Sequence, residues 1–186
     1  MNQLGHLLKH DFMLLSRNNV LTISIIVTLI YVGLFKLLSA QGNIEKVLVT
    51  VIFNDPALLG FLFVGVMVLF EKNENTIQAL AVSPVKISNY ILSKSISLTF
   101  VSLLCCFAMA ISGYGMDFNF IHFSMAAIFT TMVFSFLGFI AVAGQSNFNQ
   151  YILRALGIIL FLSLPFLGYF DLVAETWFIL FPTYPA

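Results

Sequence analysis

Residues 56–94 read PALLGFLFVGVMVLFEKNENTIQALAVSPVKISNYILSK. Pro56 to Phe70 carry no charge, and Glu71 ends the run abruptly. Beyond Lys94 a second uncharged run extends from Ser95 to Met116. An ionised side chain at the bilayer centre costs about 2.5–3.5 kcal/mol on insertion scales. Two uncharged runs flanking a polar stretch therefore read as a pair of membrane-crossing helices joined by a loop, residues 71–94.

The same pattern repeats outward. Asn18 to Phe35, between Arg17 and Lys36, contains LTISIIVTLIYVGLF. At 1.5 Å per residue it nearly crosses a hydrocarbon core of about 30 Å. It makes a poor signal peptide, because a signal's apolar region spans about 7–15 residues and a long amphipathic stretch precedes this one, although Leu38-Ser39-Ala40 weakly imitates a cleavage site. Asn54-Asp55-Pro56 predicts a helix start, with proline at the first helical position. Val47–Phe53, just upstream, either extends this second span or lies at the outer interface. The third span reads to about Ser112, where Gly113-Tyr114-Gly115 breaks it. His122 to Gly144 is the clearest span. Ala155 to Phe170 is a fifth, kinked by Pro165 and containing Gly168. The tail, Asp171 to Ala186, mixes Trp177, Tyr184, Pro182 and Pro185 as interfacial segments do.

The expected fold is thus all-α: a polytopic transmembrane helical bundle with five spans visible. No repeat or linker divides it, so 1–186 reads as one membrane domain. A sixth span is expected beyond Ala186 in the parent protein. Composition agrees, with 60% hydrophobic and 9% charged residues, against about 25% charged in soluble domains. Zero formal net charge and the lack of a basic cluster exclude a nucleic-acid partner. Membrane lipid is the expected surround. Cys105 and Cys106 are adjacent, so they cannot close a loop, and they read as small apolar helix residues.

Orientation follows from lysine and arginine. With the N-terminus inside, inner segments hold Lys9, Arg17, Lys72, Lys86, Lys94 and Arg154, and outer ones only Lys36 and Lys46. This satisfies the positive-inside rule and places the N-terminus in the cytoplasm.

Two inner segments carry the functional reading. Residues 2–17 predict an amphipathic helix in the inner interface. Leu4, Leu7, Leu8, Leu14 and Leu15 share one face, with Phe12 at its edge. His6, Lys9, His10, Ser16 and Arg17 lie opposite, and Asp11 and Met13 break the pattern. Lys9, Phe12 and Arg17 are the candidate interfacial residues. His6 and His10 have the i, i+4 spacing of a metal pair but no accompanying ligand set, so no metal site is assigned. In the 71–94 loop a short helix is predicted from Glu74 to about Val82, ended near Ser83-Pro84 because a residue before proline avoids the helical region. Ile77, Leu80 and Ala81 share one of its faces, leaving Glu74 and Gln78 for water. Such a helix is either a grip for a cytoplasmic partner or a passive connector.

The order of an amphipathic helix, a span, a second span ending in an acidic residue, a Thr-x-x-x-Leu helix, Ser-Pro and a YILSK entry into span three resembles the ABC-2 family of ABC-exporter permeases. NDPALLGFLFVGVMVLFEKNENTIQALAVSP and YILSKSISL, in particular, are similar to bacterial permeases described as fluoroquinolone exporters. Relatives often carry glycine where this chain has Asn75. The resemblance implies a multi-pass subunit in a bacterial plasma membrane, exporting a drug-like or amphipathic substrate. It implies pairing with a second permease copy or paralogue, and docking of a cytoplasmic ATPase subunit through Glu71, Glu74, Thr76, Ile77, Leu80, Ser83 and Pro84. The chain has no G-x-x-x-x-G-K-[ST] phosphate loop. No cofactor is therefore expected in it, and ATP and Mg would bind the partner.

No G-x-S-x-G, H-E-x-x-H or paired intramembrane carboxylate points to an enzyme. Thr130, Thr131 and Ser135 are helix-packing residues first and pathway candidates second, and Gly60, Gly65, Gly138 and Gly144 favour close helix contact. The competing reading is a membrane anchor or assembly factor that recruits a cytoplasmic partner without moving solute.

Overall fold

The computed structural model describes residues 3–38, 45–116 and 118–164. Within them all regular structure is helical. The order is α1 (Gln3–Arg17), α2 (Val20–Leu38), α3 (Glu45–Leu58), a π-helical turn (Leu59–Phe63), α4 (Val64–Asn73), α5 (Thr76–Ala81), α6 (Ile87–Tyr114), α7 (Phe120–Val142) and α8 (Phe148–Ser163).

Among the described residues, four helical stretches are long and apolar enough to cross a membrane: Val20–Leu37, Thr50–Asn73, Ile87–Gly113 and Phe120–Val142. α8 is apolar but shorter, at 16 residues. It begins before the fifth predicted span. Pro165, Gly168 and the tail with Trp177 lie outside the described residues. α1 and α2 are separated at Asn18-Asn19. There the Asn18 side chain donates to the Leu14 carbonyl at 3.0 Å, and Asn19 takes a positive φ of 57°, which asparagine tolerates.

The second span departs from expectation. Pro56 sits inside α3 rather than at a helix start. Helix therefore continues upstream through 47–53, and Asp55 is buried within the span instead of bounding it. A proline removes the N–H that would bond the carbonyl four residues earlier. That carbonyl is Ile52's, and the Cys106 thiol of α6 reaches it at 3.9 Å. Cys106 is thus a buried donor.

The π turn that follows is stitched to α8. Tyr151, fully buried, donates its hydroxyl to the carbonyls of Phe61 at 2.8 Å and Leu62 at 3.2 Å. Gly65 leaves room for the ring, since a Cβ there would lie 2.1 Å from it. α7 crosses the same turn closely. A Cβ on Gly60 would stand 2.5 Å from the Thr131 carbonyl, and one on Gly138 2.5 Å from the Phe61 carbonyl. These three glycines serve close helix contact as read from the sequence. Gly144 does not. Nothing lies within 4 Å of its Cβ position, and its φ of +76° makes it a turn residue.

Hydroxyls tie α6 to α7 within the bundle. Ser95 meets Ser135 at 2.8 Å, and Thr131 donates to Ser102 at 3.0 Å. Thr131 and Ser135 are fully buried inside the chain, while Thr130 is half-buried. Thr131 and Ser135 thus pack α7 against α6 in this structure.

Gly60→Ala and Gly138→Ala are expected to destabilise the fold by about 1–3 kcal/mol each, as overpacking does. Gly33→Ala meets nothing within 4 Å and serves as the neutral control. Denaturant titration of the three variants in mixed micelles checks the ranking.

Candidate functional site

One end of the bundle is organised by three charged residues that are far apart in sequence. Lys94 lies about two turns inside α6, and its ammonium donates to Asp11 Oδ1 of α1 at 2.8 Å and to Glu71 Oε1 of α4 at 2.6 Å. All three are buried. Hydroxyls complete the set. Ser93 donates to Asp11 Oδ2, and Tyr90 donates to Glu71 Oε2 at 2.6 Å. The ammonium also lies 4.8 Å from the Tyr90 ring centre, within the range of a cation–π contact.

This arrangement explains why Asp11 interrupts the apolar stripe of α1. It shares the buried face with Leu14 and Leu15 and is tolerated there because Lys94 meets it. The cluster also corrects the role of Glu71. With 1% of its surface exposed, its carboxylate is a partner for Lys94 and Tyr90, and an incoming protein cannot reach it. Lys94 likewise belongs to the interior and not to the loop.

Above this cluster, α1 and the 74–86 segment run alongside each other and are pinned at both ends. Arg17, in the last turn of α1, pairs with Glu74 ahead of α5. At the other end Gln3 donates to the Pro84 carbonyl at 3.4 Å and accepts from Asn89 at 3.2 Å. Asn75 enters α5 with φ +58°, a left-handed conformation that glycine and asparagine adopt most readily. Asparagine can therefore occupy this position without a glycine's freedom. Ser83 closes the helix by donating to the Leu80 carbonyl at 2.8 Å. Thr76, Ile77 and Leu80 are half-buried, whereas Gln78, Ala79 and Val82 are exposed. Val82 is 89% exposed, an apolar side chain offered outward beside Gln78 and Ala79. Lys9 is exposed on α1, and Phe12 packs edge-on against Phe100 at 5.7 Å.

Between α1 and α5 a cavity of about 370 Å³ opens, lined by α1 residues including His6 and His10 and floored by Asp11 and Glu71. The two histidines thus face a cleft, not only bulk water. His10, Asp11 and Glu71 place ligand-type atoms within 4.8 Å of one another, and Lys94 bridges the two carboxylates.

The model of the fluoroquinolones export permease protein family matches residues 2–186. The chain belongs to this family of export permeases. Two proteins of Mycobacterium tuberculosis, strains CDC 1551 / Oshkosh and ATCC 25618 / H37Rv, are each named a fluoroquinolones export permease protein. Each is 27% identical over 134 residues, covering 72% of this chain and 56% of its own length. The chain thus matches little more than half the length of these curated relatives. No solved structure matches it. The resemblance read from the loop motifs is matched by family membership over nearly the whole chain. Sequence reasoning marked Glu71 and Arg17 but missed the pairing of Asp11 with Lys94. The available signal was a lone acid in an amphipathic stripe and a lone base beside a long apolar run.

Lys94→Met is expected to cost about 3–5 kcal/mol, because it strands two buried carboxylates. The variant Asp11→Asn/Glu71→Gln/Lys94→Met, which removes all three charges, should recover most of that loss. Thermal unfolding in detergent micelles compares the two.

Proposed function

We propose that the chain is the membrane permease subunit of an ATP-driven exporter, in the plasma membrane of a bacterium, with α1 and α5 on the cytoplasmic side. The side assignment rests on the excess of lysine and arginine at that end of the bundle. A separate ATPase subunit, carrying ATP and Mg, docks on α5. A second permease copy or a paralogue completes the pathway, and residues 1–186 act as one membrane domain within it. The substrate is a drug-like or amphipathic compound, of the kind named for the mycobacterial relatives.

The observation that carries this reading is the attachment of α5. It is tied to α1 at both ends by Arg17–Glu74 and Gln3–Pro84. Beneath it, Lys94 joins α1 to α4 and α6. A displacement of α5 is therefore passed to the ends of two spans at once. A slack connector would absorb it. The surface left for a partner comprises Gln78, Ala79, Val82 and Pro84, with Thr76, Ile77, Leu80 and Ser83 supporting it from beneath.

Gln78→Trp and Val82→Asp change that outer surface without touching the buried charges. With the ATPase partner coexpressed, both should abolish fluoroquinolone-stimulated ATP hydrolysis while membrane insertion and yield stay unchanged. Undiminished stimulation in both variants would sink the coupling assignment. Copurification with a partner that hydrolyses no ATP, and no solute flux, would favour an anchor.

A further inference from the structure

The cavity between α1 and α5 has a chemistry of its own. Its α1 wall is a helical stripe, Gln3, His6, Leu7, His10 and Asp11, and Glu71 completes the floor. A second cavity of about 470 Å³, lined by Ile77, Leu80, Val85, Ile87 and Tyr90, adjoins it. The two share Leu80, Val85 and Tyr90. Each volume is within the range of small-molecule sites, about 300–1,000 Å³. Both are walled mainly by apolar surface, and the first is also bounded by Asp11 and Glu71.

The floor holds two carboxylates, Asp11 and Glu71, against one ammonium, that of Lys94. With neutral histidines it carries one formal negative charge in excess. Such an excess is costly in a poorly hydrated site unless a cation approaches. The other titratable side chain facing it closely is His10, whose Nδ1 lies 4.0 Å from Glu71 Oε1 and whose side chain is 48% exposed. His6 stands one turn away on the same wall, and Tyr90 is committed to Glu71. His10 is thus the exposed neighbour of the two carboxylates, and the cavity lies beside it.

We infer that these adjoining cavities bind an organic ammonium compound with an apolar body. The cationic end sits beside His10 over Asp11 and Glu71, and the apolar body lies along Leu80, Val85 and Ile77. As the identity of a transported compound this rests on the exporter reading. As a binding site it does not, because nothing in it requires the ATPase. The cavity is bounded by the helix proposed to meet that partner, so an occupant would press directly on the coupling element.

The test uses the full chain purified in a non-ionic detergent without any ATPase, with fluorescence anisotropy of rhodamine 6G as the cationic probe and fluorescein as the anionic one. Saturable binding of rhodamine 6G alone is expected. His10→Lys puts a fixed cation at the floor and should weaken binding about tenfold or more, or 1.4 kcal/mol, while His10→Gln leaves it intact. Leu80→Trp, or Val85→Trp if the first does not fold, should remove it by filling the shared wall. Displacement of the dye by phosphatidylethanolamine but not phosphatidylglycerol would identify the ammonium as a lipid headgroup. Persistence of dye binding in both lipids would identify a soluble compound. Equal affinity for both dyes, or wild-type affinity in His10→Lys, would overturn the site. Because hydrolysis is not measured, either result leaves the exporter reading to its own experiment.

Discussion

Lys94 can be buried only in company. Taking an ammonium or a carboxylate out of water costs several kcal/mol per ion, and the cost is met only when partners and hydroxyl donors surround it. Here the partners come from α1, α4 and α6, with Ser93 and Tyr90 supplying the remaining hydrogen bonds. None of the three helices can reach its place without the other two. The position of α1 is fixed by this constraint, and through α1 so are the two tethers that hold α5. The cleft between them is lined by Asp11 and Glu71 together with Thr76 and Leu80.

Deeper in the bundle the logic changes. Lipid is as apolar as any core residue, so burial of apolar surface does little to bring helices together there. Contact is secured by small residues and hydroxyls instead. Gly60 and Gly138 admit α7 against the π turn, and Ser95–Ser135 and Thr131–Ser102 bind it to α6. The molecule thus joins a closely fitted centre to one polar, charge-paired end. Asp55 stands apart from both, buried in α3 with no hydrogen-bond partner for Oδ2 among the described residues.

Long uncharged runs between charges were enough to read the helical membrane class, four of the five expected spans and the short helix in the 71–94 loop. The close-contact roles of Gly60, Gly65 and Gly138 followed from residue type. What the sequence hid depends on pairing across distance. Asp11 looked like a flaw in an amphipathic face because its partner lies 83 positions away. Lys94 and Glu71 looked like membrane-edge charges because each sits beside a polar loop. Pro56 looked like a helix start because local rules cannot see Cys106 reaching across from α6 to the Ile52 carbonyl. Likewise, His6 and His10 were placed on a wet face because the helix opposite them was not in view.

The π turn at Leu59–Phe63 sets the angular phase of everything upstream. A wider turn takes up roughly one residue more than α-helix would, and one residue corresponds to about 100° of rotation. The surplus residue is absorbed inside the turn, and the helix on either side keeps the phase of a span one residue shorter. Removing a single residue between 59 and 63 would close the turn to ordinary α-helix and leave Ile52 and Asp55 at their azimuth. What it would disturb is the wide turn whose Phe61 and Leu62 carbonyls accept from Tyr151. Removing one residue between 64 and 70 meets no such reserve. It would rotate Ile52 and Asp55 by about 100° relative to Glu71, while the sequence's hydrophobic profile stays the same.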